Sequence, residues 1–343
     1  MTLREAFQRQ SAACAELGSP FMARLMALSA ELLAETGPVG VRLSSWEGDI
    51  GPAGASLPLR LAGALHALVL GGDGPLAAVY PPEEAGDPDL WEAVEQALER
   101  RADDILCWLE SAPQTNEVRR SAVLIAAAHW LAARFGLPFR LSELGASAGL
   151  NLVFDRFALE VGGTRLGPDD AALTLTPRWS GGAPPAARIE VAERRGVDLN
   201  PVDPASPSGR LRLRAYLWAD QAERRALTDA AISVAGAQVD RGDAIDWLER
   251  RLGHEPGRLH LVYHTIAWQY FPTAAQQRGE RLLAEAGARA TEEAPLARLG
   301  MEGDGEAPGA CLWVDLWPGG ERIALGRANF HGRWLDWRAP EDR

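Results

Sequence analysis

The stretch RLSELGASAGLN, Arg140 to Asn151, admits two readings. Gly145-Ala146-Ser147-Ala148-Gly149 fits G-x-S-x-G, the nucleophile elbow of serine hydrolases, with Ser147 as nucleophile. The same residues fit a strand that ends on an acid, Glu143, and then a Gly-rich turn that opens a helix and cradles a nucleotide-like cofactor. The choice decides the fold. A hydrolase sheet has several strands before its elbow, and one of them feeds an oxyanion loop. A cofactor sheet of the second kind starts with the strand that carries the turn.

Upstream of Phe139 no strand pattern stands out, and helical signals follow one another. LREAFQRQSAACAELG repeats apolar residues at helical spacing and stops at Gly18. SPFMARLMALSAELLAETG starts at a Ser-Pro cap and stops at Gly37. PLRLAGALHALVLGGDG is a third helix, and DPDLWEAVEQALERRADDILCWLES supplies one or two more. PQTNEVRRSAVLIAAAHWLAARFGLP is capped by Thr115 or Asn116, closes at Gly136, and leads into the strand FRLSEL. These segments predict a helical domain over residues 1–112 and an α/β domain over 113–343.

Downstream, FALEVGGTRL reads as a hairpin around Gly162-Gly163, inside an insertion at about 153–187. Alternation then resumes. GVDLNP ends a strand, RLRAYLWADQAERRALTDAAISVAG is a helix, and AQVDRGDAIDWLERRLG is a strand end and helix. RLHLVYHTI is a strand and TAAQQRGERLLAEAGA a helix. PLARLGME, ACLWVDLWPGG and ERIALGRANF are strands, the last two joined by a Pro318-Gly319-Gly320 turn and therefore antiparallel. Strand-helix alternation implies a mostly parallel sheet with ligands at the carboxyl ends of its strands.

Composition narrows the chemistry. The chain has 343 residues and a net charge of −12, which argues against nucleic acid as the main partner. All 35 basic residues are arginine, so pyridoxal Schiff bases and lysine-dependent phosphate transfer are excluded. Cys14, Cys107 and Cys311 form no zinc pair, and His260 and His264, at i, i+4, lie in a strand, so no metal site is expected. No apolar run reaches the roughly 18 residues that span a bilayer, and no signal-peptide pattern opens the chain, which predicts a cytoplasmic protein with no membrane contact.

The hydrolase reading has its triad order available: Ser147, then Asp198 or Asp243, then His264 or His331. It leaves Glu143 without a role and puts the elbow on the first recognisable strand. The cofactor reading uses more positions. Small residues at 145 to 149 allow close backbone approach, and Glu143 offers an acceptor for an ammonium or a water. Asp198 follows the second strand, where a carboxylate takes a ribose diol, and Asp243 follows the third, where it accepts from an adenine amino group or caps a helix. The fourth strand ends in YHTIAWQY, polar and aromatic where a reacting group would lie. Asn116 opens the PQTNEVRRS helix start, and Arg119 or Arg120 there could clamp a carboxylate.

SELGASAG, VDLNP, RGDAIDW and LVYHTIAW resemble successive motifs of the class I S-adenosylmethionine-dependent methyltransferases. The whole chain more closely resembles a bacterial family catalogued as domain of unknown function 2332, through CAELGSP, LPLRLAGALHALVL, PQTNEVRRSA, LSELGASAGLNL, RRGVDLNPVD, LRLRAYLWADQAER, HTIAWQYFP and FHGRWLDW. The resemblance implies a Rossmann-like methyltransferase fold, a seven-stranded, mostly parallel sheet ending in an antiparallel hairpin. It implies that Glu143, Gly145, Ala146, Ser147, Gly149 and Asn151 line the methionine and ribose side of S-adenosylmethionine. Asp198, Leu199 and Asn200 would hold the ribose, Asp243 and Ala244 the adenine, and Asn116 and Arg120 would join the cofactor site. His264 would flank the sulfonium and serve as catalytic base, and Trp268, Gln269 and Tyr270 would line the acceptor pocket.

Two departures stand out: Ser147 occupies the position of a motif glycine, and Asp198 lies 55 residues after Glu143, against roughly 20 in related dinucleotide folds. The insertion must therefore loop out. The expected protein is a methyltransferase, monomer or homodimer, acting on a small-molecule acceptor. The other readings are a Ser147 hydrolase, an adenosyl-ligand-binding protein without turnover, and a dinucleotide reductase.

Overall fold

A computed structural model describes residues 1–52 and 54–340. The chain divides into two units, residues 1–115 with 206–226, and residues 116–205 with 227–343. The first unit is helical: α1 (Leu3–Glu16), α2 (Pro20–Leu32), α3 (Gly37–Ser44), α4 (Leu57–Leu70), α5 (Gly74–Ala77), α6 (Asp87–Arg100) and α7 (Ala102–Leu109). Local chemistry sets the starts. Thr2 and Glu5 form a reciprocal capping box on α1, and the Ser19 hydroxyl accepts from the Met22 amide to open α2. Gly37, read as the stop of the second helix, instead begins α3, because α2 already ends at Leu32. Phe7, Leu25, Met26, Leu43, Leu57, Leu61 and Leu65 fill this unit's core.

The second unit opens with a short 3-10 turn (Val118–Arg120) that runs into α8 (Ser121–Phe135), then β1 (Phe139–Leu144). The Gly-rich turn follows. It opens a 3-10 helix, Leu150–Arg156, kinked at Val153, where a regular α-helix is the ordinary expectation. The insertion comes next: β2 (Ala158–Val161) and β3 (Thr164–Leu166) form the hairpin at Gly162-Gly163, and β4 (Thr174–Leu175) completes a separate three-stranded sheet. β5 (Arg178–Ser180) leaves the insertion to pair with the far edge of the main sheet.

Then come β6 (Val191–Asp198), α9 (Pro207–Ala215) and α10 (Ala222–Ser233). The single helix read over this last stretch is thus broken at 216–221, and its first half, α9, clusters with the helical unit. β7 (Gln238–Arg241), α11 (Ala244–Arg251), β8 (Leu259–Thr265), α12 (Thr273–Gly287), β9 (Leu296–Glu302), β10 (Ala310–Trp317), β11 (Glu321–Ala328) and β12 (Trp334–Trp337) complete the chain.

The main sheet has nine strands in the order β5-β12-β11-β10-β9-β8-β1-β6-β7. Its parallel part runs β9-β8-β1-β6-β7, and an antiparallel meander β9-β10-β11-β12 carries it outward. The sheet is mixed α/β and mostly parallel, with the turn at Pro318-Gly319-Gly320 joining an antiparallel pair as the sequence predicts. It holds nine strands where the resemblance implies seven. From β1 the chain adds β6 and β7 on one side, then crosses to β8 and β9 on the other. The gap between β1 and β8 is therefore a topological switch point, the position at which open α/β sheets bind their ligands beyond the carboxyl ends of the strands. Among the described residues no helix is long and apolar enough to cross a membrane.

Candidate functional site

Register places the site. Glu143 stands opposite Gly196 on β6 and Tyr263 on β8, at the carboxyl end of the switch point. A Cβ on Gly196 would lie 2.5 Å from the Ala146 Cβ, so the missing side chain lets the turn fold over the β6 end. Glu143 is 2% exposed, and its Oε2 is buried with no hydrogen-bond partner. Burial pushes its carboxyl well above the usual range, and the nearby Asp198 charge pushes further, with Arg120 opposing. The Tyr263 hydroxyl lies beside this carboxyl and donates to the Asn151 carbonyl at 3.3 Å.

The turn is held by its own protein. The amides of Gly145 and Ala146 donate to the Val197 carbonyl, each at 3.0 Å, and that of Gly149 to the Ala146 carbonyl at 2.7 Å. The Ser147 amide donates to Asp198 Oδ2 at 2.8 Å, while those of Ala148 and Leu150 share Asn116 Oδ1 at 3.1 and 3.2 Å. Every donor from 145 to 150 that sequence would aim at a ligand is thus engaged. Ser147 takes a φ of 52°, a left-handed conformation that costs a non-glycine residue about 1 kcal/mol or more. The charged acceptor Asp198 on its amide offsets that strain.

Asn116 does not cap a helix: the turn before α8 is capped by Glu117, and Asn116 instead staples the Gly-rich turn. Arg120 binds the Thr265 and Phe330 carbonyls at 3.0 and 2.9 Å, tying the β8 end to the segment after β11. Asn151 is a cross-brace and not an open ligand contact. Its Oδ1 accepts from the Ser121 hydroxyl at 2.8 Å and its Nδ2 donates to the Glu117 carbonyl at 3.4 Å.

At the β6 end, Asp198 is half-buried and its second oxygen accepts the Asn200 amide at 2.8 Å. Leu199 is 67% exposed, unusual for a leucine that follows a buried strand. Asn200 is exposed and accepts from Arg241 at 3.0 Å. Asp243 caps α11, accepting the Ile245 and Asp246 amides at 2.9 and 3.0 Å, with Ala244 as the first helical residue.

His264 departs most from expectation. It is fully buried. Its Nδ1 bonds Glu302 Oε1 at 2.7 Å, and its Nε2 accepts from Arg298 Nε at 3.1 Å. Burial lowers its pKa against the pull of Glu302, so the ring is neutral with its proton on Nδ1. No nitrogen is left for proton transfer, which removes His264 as a base. The ring stacks on Trp268 at 5.0 Å, and Arg298 lies 4.1 Å over that indole. Trp268 is therefore core, while Gln269 and Tyr270 are exposed.

Of the residues the hydrolase reading offers, Asp198 serves the turn, Asp243 caps a helix and His264 bonds Glu302. Sequence reading missed Glu302, Arg298, Tyr263 and Ser121. A signal existed for two of them, since charged residues in the apolar strand LARLGME must find partners once buried.

Gly145 has a φ of 73°, and a Cβ there would stand 2.6 Å from the Ala267 Cβ. Gly145→Ala should lower stability by about 1–3 kcal/mol, read as a lower urea midpoint at unchanged slope. An unchanged midpoint would mean the turn does not pack on the β8 end.

A family model described as an uncharacterized protein conserved in bacteria (DUF2332) matches residues 4–337. No curated protein matches the chain.

Proposed function

We propose that this chain, which belongs to the uncharacterized bacterial family DUF2332, binds S-adenosylmethionine at the β1–β8 switch point and transfers its methyl group to a small-molecule acceptor. One observation carries the reading. The switch point carries two carboxyl groups, Asp198 and Glu143, the Oε2 of the latter buried without a hydrogen-bond partner, while the amides of the Gly-rich turn are already satisfied. Such a site repels phosphate, which needs free amides or cations. A pyrophosphate dinucleotide therefore fits poorly. A phosphate-free nucleoside with an ammonium, a cationic sulfur and a ribose diol fits well.

Glu143 would take the ammonium. Asp198 keeps lone pairs free for the ribose hydroxyls beyond the two amides it accepts. The exposed Leu199 offers an apolar face for the adenine, and Asp243 with Ala244 borders the same end of the sheet at β7. The parallel order β7-β6-β1-β8-β9 supports a Rossmann-like methyltransferase arrangement, extended here by the meander and the insertion strand β5. The bound cofactor supplies an electrophilic methyl group. The chain's own residues align it and exclude water, which is where most of the acceleration would arise. With His264 locked in its buried bonds, the acceptor is a group that attacks without help from that ring.

Calorimetry tests the proposal with S-adenosylmethionine, S-adenosylhomocysteine and NADH as probes. Saturable heats are expected with the first two and none with NADH. Asp198→Asn keeps an acceptor for one turn amide but loses the charge, and should weaken S-adenosylmethionine binding by about tenfold or more. Saturable NADH binding, or no binding of either adenosyl ligand, would overturn the reading.

A further inference from the structure

The insertion, its flanking residues and α8 line a half-open cavity of about 240 Å³ on the α/β unit. Its body is apolar, built from Ile125, Phe154, Phe157 and Ile189. An engineered apolar cavity of about 150 Å³ already admits benzene, so this one has room for a one- or two-ring molecule.

Three polar residues in the wall give it a chemical preference. His129 is 5% exposed, and its Nδ1 accepts the Ala187 amide at 3.1 Å. The neutral ring must then carry its proton on Nε2, and Nε2 is buried with no partner. A buried donor without an acceptor costs about 1–3 kcal/mol, so a ligand oxygen that reached it through a small shift of the wall would relieve that cost. Asp155, the acid of the wall, is already neutralised by a two-pronged ion pair with Arg194. Arg188 lies in the wall with its side chain 89% exposed, and Glu190 approaches it only at 3.8 Å. Apolar walls, an unsatisfied N–H, a neutralised acid and a loosely held cation together select an anion with an aromatic body.

We infer that this cavity is a binding site for a small aryl carboxylate, its ring among Ile125, Phe154 and Phe157 and its carboxylate between His129 and Arg188. The site shares no lining residue with the switch-point carboxylates, although its wall residue Phe154 packs edge-on against Tyr263 at 6.4 Å; its charge preference is the opposite one, and it stands whether or not S-adenosylmethionine binds.

The probe is indole-3-acetate, with the neutral alcohol indole-3-ethanol as control, followed by calorimetry and by amide chemical shifts. Saturable one-to-one binding of the acid is expected, with weaker binding of the alcohol and shifts centred on residues 125–129 and 187–189. Ile189→Trp, at a half-buried wall position, should fill the cavity and remove binding, with an unchanged urea midpoint showing that the variant folds. Arg188→Ala, on an exposed side chain that the fold does not need, should weaken the acid by about twofold to fivefold and leave the alcohol unchanged. Failure of the acid to saturate, equal binding of acid and alcohol, or binding undiminished in Ile189→Trp would overturn the inference.

Discussion

Glu302→Ala is expected to destabilise the α/β unit by about 3–5 kcal/mol, the cost of stripping one partner from a buried charge network. Glu302 is 4% exposed and accepts from four donors: His264 Nδ1 at 2.7 Å and the amides of Ala267, Trp268 and Gln269 at 3.1, 3.0 and 3.3 Å. Burial pushes its carboxyl up, but the His264 bond and the two nearest amides outweigh that and hold it below the usual range. Charge then alternates along a buried line. Glu302 meets the neutral His264, His264 meets Arg298, Arg298 faces Asp315 at 3.8 Å, and Asp315 pairs with Arg322 through two bonds.

Removing the carboxylate leaves the His264 Nδ1 proton and three amides without an acceptor, and takes one negative charge from the surroundings of the Arg298 cation, 3% exposed, whose nearest counter-charge is Asp315. Glu302→Gln keeps the shape and some acceptors, and should cost less than half as much. Hydrogen exchange of the β8 and β9 amides reads both effects. The sign with pH follows from the lowered folded pKa. Wild-type stability from Glu302 is present above the ordinary carboxylate range and is lost as pH falls through the lower folded value. Glu302→Gln should lack that acid-side loss. If Glu302→Ala unfolds at the wild-type midpoint, the network does not hold the β8 end in place.

Glu143→Gln should act in the opposite sense on stability and strongly on binding. The folded carboxyl is raised well above its ordinary value by burial and by Asp198. Between the ordinary range and that raised value the folded state holds more protons than the unfolded one, so wild-type stability falls as pH rises through this window. Glu143→Gln carries no such proton, so it should flatten the slope and stabilise the ligand-free protein at neutral pH.

Affinity for S-adenosylmethionine should drop about 10- to 150-fold, the worth of a charge-assisted bond to the ammonium. Wild-type binding should also release a proton as the carboxyl ionises against its new partner, visible as heats that change with the buffer's ionisation enthalpy. Glu143→Gln should release none. A variant that is less stable than wild type, or that binds the cofactor undiminished, would show that Glu143 serves packing alone. A residue that costs the free protein stability and gains its value from a ligand is the mark of a binding site.

Much of the fold was legible because its causes are local. Ser19 and Pro20 announce a helix start through bonds that span a few residues, and Gly145 and Gly149 announce a turn because their positive φ excludes ordinary side chains. The same locality misled at two places. Asn116 carries the residue type of a helix cap, and its partners are the Ala148 and Leu150 amides, 32 and 34 residues away. VGGTRL announced a hairpin, but nothing in TPRWS announced that β5 would cross to β12, since a three-residue edge strand gets its pairing from the sheet.

Sequence by itself determined most of the inventory: the order of the main helices and strands, that Glu143, Asp198 and Asp243 lie at or just after strand ends, and that the turn between β1 and the 3-10 helix is tight. Tertiary structure alone decided which of those groups remain available. Asp198 reaches the Ser147 amide across 51 residues, and His264 reaches Glu302 across 38, so neither commitment leaves a local trace. Glu143 has only the Tyr263 hydroxyl beside its carboxyl, and its Oε2 is buried without a hydrogen-bond partner. The physical reason is desolvation: a buried polar atom is worth what its contacts supply, and those contacts come from strands that only folding makes neighbours.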